Sequence, residues 1–128
     1  MMAVTRFNPQ GVIDNTWGVQ GTLVIPKFAT GTDTDTATAM DITPDGTQLA
    51  VVGKSSVSGW AVAMINVGDG TVNNPAAVLW QNTLVAGSTF GGQANGVTFG
   101  DYDGPNHGQP LVVTAVGNDS TQTHMVAV

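Results

Sequence analysis

The chain has 128 residues and 13.1 kDa, the length of one domain, and its 41% hydrophobic content is enough for a core but modest for an all-β unit. Only 9% of residues are charged, the formal charge is −6, and Arg6, Lys27 and Lys54 are the only strong cations, which excludes the basic clusters that nucleic acid or an anionic membrane requires. The lack of cysteine removes disulfides, thiol chemistry and Cys-type zinc sites.

From the N-terminus, Met1 to Gln10 lacks the charged and apolar regions of an export signal, and no later apolar run approaches the ~18 residues of a membrane span. A soluble chain is expected. Ala3 to Asn8 reads as a strand running into the loop Pro9-Gln10-Gly11, followed by Trp17 and the strand Thr22-Leu23-Val24. The stretch Thr30 to Thr38 alternates Thr and Asp as a polar connection in which Asp33 and Asp35 could also hold a cation, though capping of turns is the plainer use. Ala37 to Thr43 alternates as a strand with two unlike faces and meets a tight turn at Pro44-Asp45-Gly46. Leu49 to Val52 and Trp60 to Ile65 are nearly continuous apolar runs, expected to be strands buried on both faces and paired antiparallel with their neighbour. With no Glu and abundant Val, Thr and Gly, no long helix is expected.

The second half repeats the first. Ala3 to Asn8 matches Ala61 to Asn66 at a spacing of 58, Trp17 and Thr22-Leu23-Val24 are matched to Trp80 and Thr83-Leu84-Val85 at 63 and 61, and Thr38 to Ile42 matches Asn95 to Phe99 at 57. Leu111 to Val116 stands where Leu49 to Val52 stood, each run ending in glycine, Gly117 and Gly53. A period near sixty with four short strands is what a β-propeller blade requires. Regular strand spacing also fits a β-sandwich, but shared turn chemistry and tryptophan placement favour blades.

Residues Arg6-Phe7-Asn8-Pro9-Gln10-Gly11-Val12-Ile13-Asp14-Asn15-Thr16-Trp17-Gly18 and Ile42-Thr43-Pro44-Asp45-Gly46-Thr47-Gln48-Leu49-Ala50-Val51-Val52-Gly53 resemble the delta-60 repeat of bacterial β-propeller-like proteins. The resemblance covers about residues 3–66. In the second half Asp14 has no clear partner near Asn73, and Pro-Asp-Gly becomes the longer Gly100 to Pro110 loop. The resemblance implies a propeller fold and brings no catalytic residues. His124 to Val128 lines up with Met1 to Val4, so that running Val128 on into Thr5 would read as one strand with its loop. The expected fold is therefore all-β, two four-stranded antiparallel propeller blades per chain: repeats at about 37–87 and 94–128, the latter completed by 3–26 of a neighbouring chain. Too few blades to bury their outer faces, identical chains would close head to tail, a homotrimer being favoured over a dimer or tetramer.

Candidate site residues are few. Asp101, Asp103 and Asn106, in the loop before Leu111, place oxygen ligands as a calcium site would, but Pro105 and Pro110 stand where further ligands belong, and an ordinary hairpin loop explains the same residues. His107 near those aspartates and His124 near the last strand are lone histidines without a catalytic partner motif. Trp17, Trp60 and Trp80 could make a sugar-stacking shelf and are expected first as core. No nucleophile elbow, phosphate loop or paired metal-binding histidines occur. Three functions remain: a non-enzymatic scaffold or surface module of a virion, appendage or cell envelope; a glycan-binding lectin; and an enzyme with a central-channel site formed between chains.

Overall fold

The computed structural model describes residues 1–28, 34–56, 59–69, 71, 73–83, 92–101, 111–118 and 125–127. These are all-β, with no helix among them: β1 (Met2–Thr5), β2 (Thr22–Ile25), β3 (Asp35–Ile42), β4 (Gln48–Ser55), β5 (Gly59–Asn66), β6 (Ala77–Thr83), β7 (Gln93–Asp101), β8 (Leu111–Asn118) and β9 (Met125–Ala127). Every ladder is antiparallel, and the sheets run β1-β2, β3-β4-β5-β6 and β7-β8-β9. None of the three closes on itself into a barrel.

The four-stranded sheet is the middle layer, which explains the composition of its inner strands. Successive side chains of a strand point to opposite faces, and here both faces are covered. Leu49, Val51, Ala61, Ala63 and Ile65 pack against Met2 and Ile25 of the first hairpin. Val52, Trp60 and Val62 pack the other way, against Ala94 and Ala115 of the third sheet. The residues Leu49 to Val52 and Trp60 to Ile65 are accordingly all buried, as their apolar runs predict. The turn between β3 and β4 is the expected one: Gly46 takes φ 72, its N–H donates to the Thr43 carbonyl at 2.8 Å, and Asp45 Oδ1 accepts from the Thr43 hydroxyl at 2.6 Å.

One irregularity occurs in two sheets. Pairing between β3 and β4 shifts between Ala37 and Ala39, and pairing between β7 and β8 shifts between Ala94 and Gly96, 57 residues on. Each bulge lies beside a glycine of the partner strand, Gly53 opposite Ala37 and Gly117 opposite Ala94. A bulge bends its strand and increases the local twist. A Cβ on Gly53 would overlap the Thr36 carbonyl oxygen, and one on Gly117 the Gln93 carbonyl oxygen, the two carbonyls again 57 residues apart. The bulge residue Thr38 donates its hydroxyl to the Ala94 carbonyl, and the Phe99 N–H donates to Asp41 Oδ2 at 3.1 Å, tying β3 to β7.

Of the three tryptophans expected in the core, only Trp80 departs from expectation. Trp17 lies in the loop between β1 and β2, 1% exposed, with Nε1 donating to the Val67 carbonyl at 2.5 Å. Trp80 lies inside β6 opposite Met64 and is 47% exposed, so the two are not equivalent. With Ala3 opposite Val24 and Ala61 opposite Thr83, the counterpart of Val24 by pairing is Thr83, two residues before Val85. The segments between the paired strands differ in length, and the indole was matched across that difference. Trp60 is core as expected, 3% exposed, its Nε1 donating to the Asn118 carbonyl at 2.9 Å. At the C-terminal end, Val116 pairs with Ala127 as Val52 pairs with Val62. Since Val62 corresponds to Val4, Ala127 is the counterpart of Val4, one residue short of the splice from Val128.

Candidate functional site

The segment leaving β1 is built from the motif residues themselves. Asn8 Oδ1 accepts the N–H groups of Gln10 at 3.0 Å and Val12 at 2.9 Å, an Asx-type turn that Gly11 completes at φ 78. Arg6 donates from Nε to Asp14 Oδ2 at 2.9 Å and from a terminal nitrogen at 2.8 Å. Its guanidinium lies 5.6 Å from the centre of the Trp17 ring, a cation–π stack over an indole itself pinned to Val67. Asp14 Oδ1 takes both the hydroxyl of Thr16 at 2.5 Å and its N–H at 3.1 Å. Those Thr16 bonds, then the Arg6 guanidinium, hold the Asp14 carboxyl below its ordinary value of 3.8. The Arg, Asn, Asp and Trp of the pattern thus support one another.

Between this segment and β3 runs a groove of about 340 Å³, lined by Arg6, Phe7, Trp17, Met40, Asp41 and Ile42 among others. Its polar groups are occupied. Asp41 accepts the Ile42 N–H at 2.9 Å and the Phe99 N–H at 3.1 Å, while Arg6 is held by Asp14. Asp14 beside it is not poised as a general base, because the hydrogen bonds to its charged form lower its basicity. What the groove offers is apolar: Phe7 is 57%, Met40 65% and Ile42 49% exposed. These side chains line a gap because β1 and β2 cover β4 and β5 but leave β3 largely bare on this face. The arrangement suits burial against another apolar surface.

Of the residues singled out by sequence, Asp101 is the last residue of β7, opposite Leu111, while Asp103, Asn106, His107 and His124 lie outside the described residues. The weak calcium candidate therefore has no described geometry. Asp33 also lies outside them, while Asp35 is buried at the start of β3, its Oδ2 2.6 Å from the Met1 amino group and its Oδ1 without a hydrogen-bond partner among the described residues. Among the described residues no three His, Asp or Glu side chains come together as metal ligands would.

Sequence reasoning overlooked one recurrent device. Asp14, Asp45 and Asp69 each accept the N–H of a threonine two residues on, Thr16, Thr47 and Thr71, at 3.1, 3.0 and 2.8 Å. The Asp-x-Thr spacing was the available signal, and it supplies at Asp69 the turn for which no partner of Asp14 was found. The exposed side of β3 was legible only as an alternation, since which face stays bare depends on where the hairpin docks. No family model matches this chain, and neither a curated protein nor a solved structure matches it significantly.

Proposed function

We propose that the chain is a non-enzymatic, self-assembling β-propeller module whose stacked sheets are successive blades and whose ring is completed by further copies of itself. The observation that carries this reading is a contrast between matched positions. Val52 of the middle sheet is 0% exposed because the third sheet covers it, whereas Val116, its counterpart by register, is 40% exposed. At the other end Ala61 is fully buried, while its counterpart Ala3 is exposed beside Val24 at 48%. Each end of the stack presents the kind of face that the middle sheet buries. The bare β3 face with Met40 and Ile42 belongs to the same unfilled layer.

The resemblance of residues 3–66 to the delta-60 repeat and the recurrence of the bulge and its glycine support blades over a sandwich. Six blades from three chains is the favoured ring, with two or four chains as the alternatives, and display of polar loops is the resulting work. Native mass spectrometry and light scattering at micromolar concentration test this: a closed oligomer of two to four chains is expected, and a monomer overturns it. A second reading, glycan binding, draws on Trp80, whose half-exposed indole can stack on a sugar face. Glycan-array signal that disappears in Trp80→Ala is the result expected of it.

A further inference from the structure

The nine described strands are one more than two four-stranded sheets need. The pair β1–β2 of one copy and β7–β8 of another complete a sheet of the β3–β6 kind, and β9 is left over. Register shows where the surplus falls. On β8, Gly117 pairs with Val126 and Asn118 with Met125, as on β4 Gly53 pairs with Ala61 and Lys54 with Trp60. β9 therefore holds on β8 the place that β5 holds on β4. β1 is the other counterpart of β5: Ala3 faces Val24 as Ala61 faces Thr83, and Met2 and Val4 turn toward the following sheet as Trp60 and Val62 do. Two segments of this chain, Met2–Thr5 and Met125–Ala127, are built for one position.

Resting on the ring reading above, we infer that β9 is a self-capping strand, which covers the edge of β8 in the separate chain and yields it to β1 of a second copy on assembly. The occupant is fixed by three features. β9 pairs only with Val116, Gly117 and Asn118, whereas β5 pairs with β4 along all of Gln48–Ser55, so the rest of the β8 edge has no strand partner among the described residues. β1 has a matching edge, pairing among the described strands with β2 alone. Beyond Thr5 the incoming chain continues with Arg6 and Phe7, which would meet Thr114 and Val113 as Met64 and Ile65 meet Ala50 and Leu49. A longer ladder replaces a shorter one, and open strand edges of this kind are templates for another chain. In the same step β7 and β8 of the first copy enter the gap beside Met40 and Ile42 of the second, so one docking event covers the bare side of β3 and the bare side of the first hairpin.

The register can be trapped. Chains carrying Thr5→Cys are mixed with chains carrying Ala115→Cys, and Val4→Cys with Val116→Cys; neighbouring antiparallel pairs alternate between wide and close spacing, so one combination meets the geometry of a disulfide. A cross-linked dimer on a non-reducing gel is expected from at least one mixture. Removal of residues 125–128 should lower the concentration for half-assembly about tenfold or more, because the competent, uncapped state no longer has to be populated first. If the full chain assembles but neither mixture cross-links, or if the shortened chain keeps its far-UV circular dichroism and no longer assembles, the exchange is overturned and the ring stands. A full chain that stays monomeric overturns both. Should the shortened chain fail to fold, the cross-links in the full chain decide the matter.

Discussion

Asp45 illustrates how a chain with few charges uses them. Its carboxylate accepts the hydroxyl of Thr43 at 2.6 Å, the hydroxyl of Thr47 at 2.8 Å and the Thr47 N–H at 3.0 Å, all bonds to the charged form. They hold its carboxyl below the ordinary value of 3.8, with the Thr43 hydroxyl the largest cause. Thr71 does the same for Asp69 and Thr16 for Asp14. A carboxylate whose folded value is depressed adds stability that is fully present above its unfolded value and disappears as pH falls through the folded one. Thermal stability should therefore be level from about pH 7 to about pH 5 and decline below the ordinary carboxylate range. In Asp45→Asn the neutral-pH melting temperature should drop while the acid decline becomes shallower. A decline of unchanged depth in that variant would remove Asp45 from the account.

The bulge and its glycine are the corresponding device at the level of strands. Gly53 has the Thr36 carbonyl and the Ala37 Cα against it, and Gly117 has the Gln93 carbonyl and the Ala94 Cα. These neighbours are backbone and cannot swing aside, so Gly53→Ala and Gly117→Ala should each cost about 1–3 kcal/mol or more in urea denaturation. Gly100, also in β7, has nothing within 4 Å of a Cβ, and Gly100→Ala should lie within about 0.5 kcal/mol of wild type. Equal costs at all three positions would refute the steric explanation. Much of this level was legible in the sequence. Leu49 to Val52 and Trp60 to Ile65 are apolar without interruption, as strands covered on both sides are, and Gly53 and Gly117 close matching runs. Trp80, expected like Trp17 in the core, is instead half-exposed in β6, because its face follows from strand register and not from the spacing of the indoles. The groove beside Arg6 was hidden for a similar reason: Met40 and Ile42 alternate as they would on a covered strand, and their exposure follows from how far the first hairpin reaches.

At the scale of the molecule, the stack is finished in the middle and open at both ends, and in the proposed ring one pair of matched positions separates folding from assembly. Val52 and Val116 occupy the same place on β4 and β8, but Val52 lies under Ala94 and Trp60 within the chain, whereas Val116 faces outward. A charge at the first must be desolvated in every folded copy, at a cost of several kcal/mol, against a total stability of about 5–15 kcal/mol for a domain of this kind. At the second, on the ring proposed above, it is desolvated only when another copy docks. Val52→Asp should therefore give little folded protein, and Val116→Asp should give a chain with wild-type circular dichroism that remains monomeric at concentrations where the wild type is a ring. The net charge of −6 on each copy adds an opposing term that salt screens, so wild-type assembly should strengthen between about 10 mM and about 150 mM salt, while the Val116→Asp monomer should respond little. Sedimentation velocity on the two proteins across that range reads both effects, and a Val116→Asp chain that assembles like wild type would show that this face is not where copies meet.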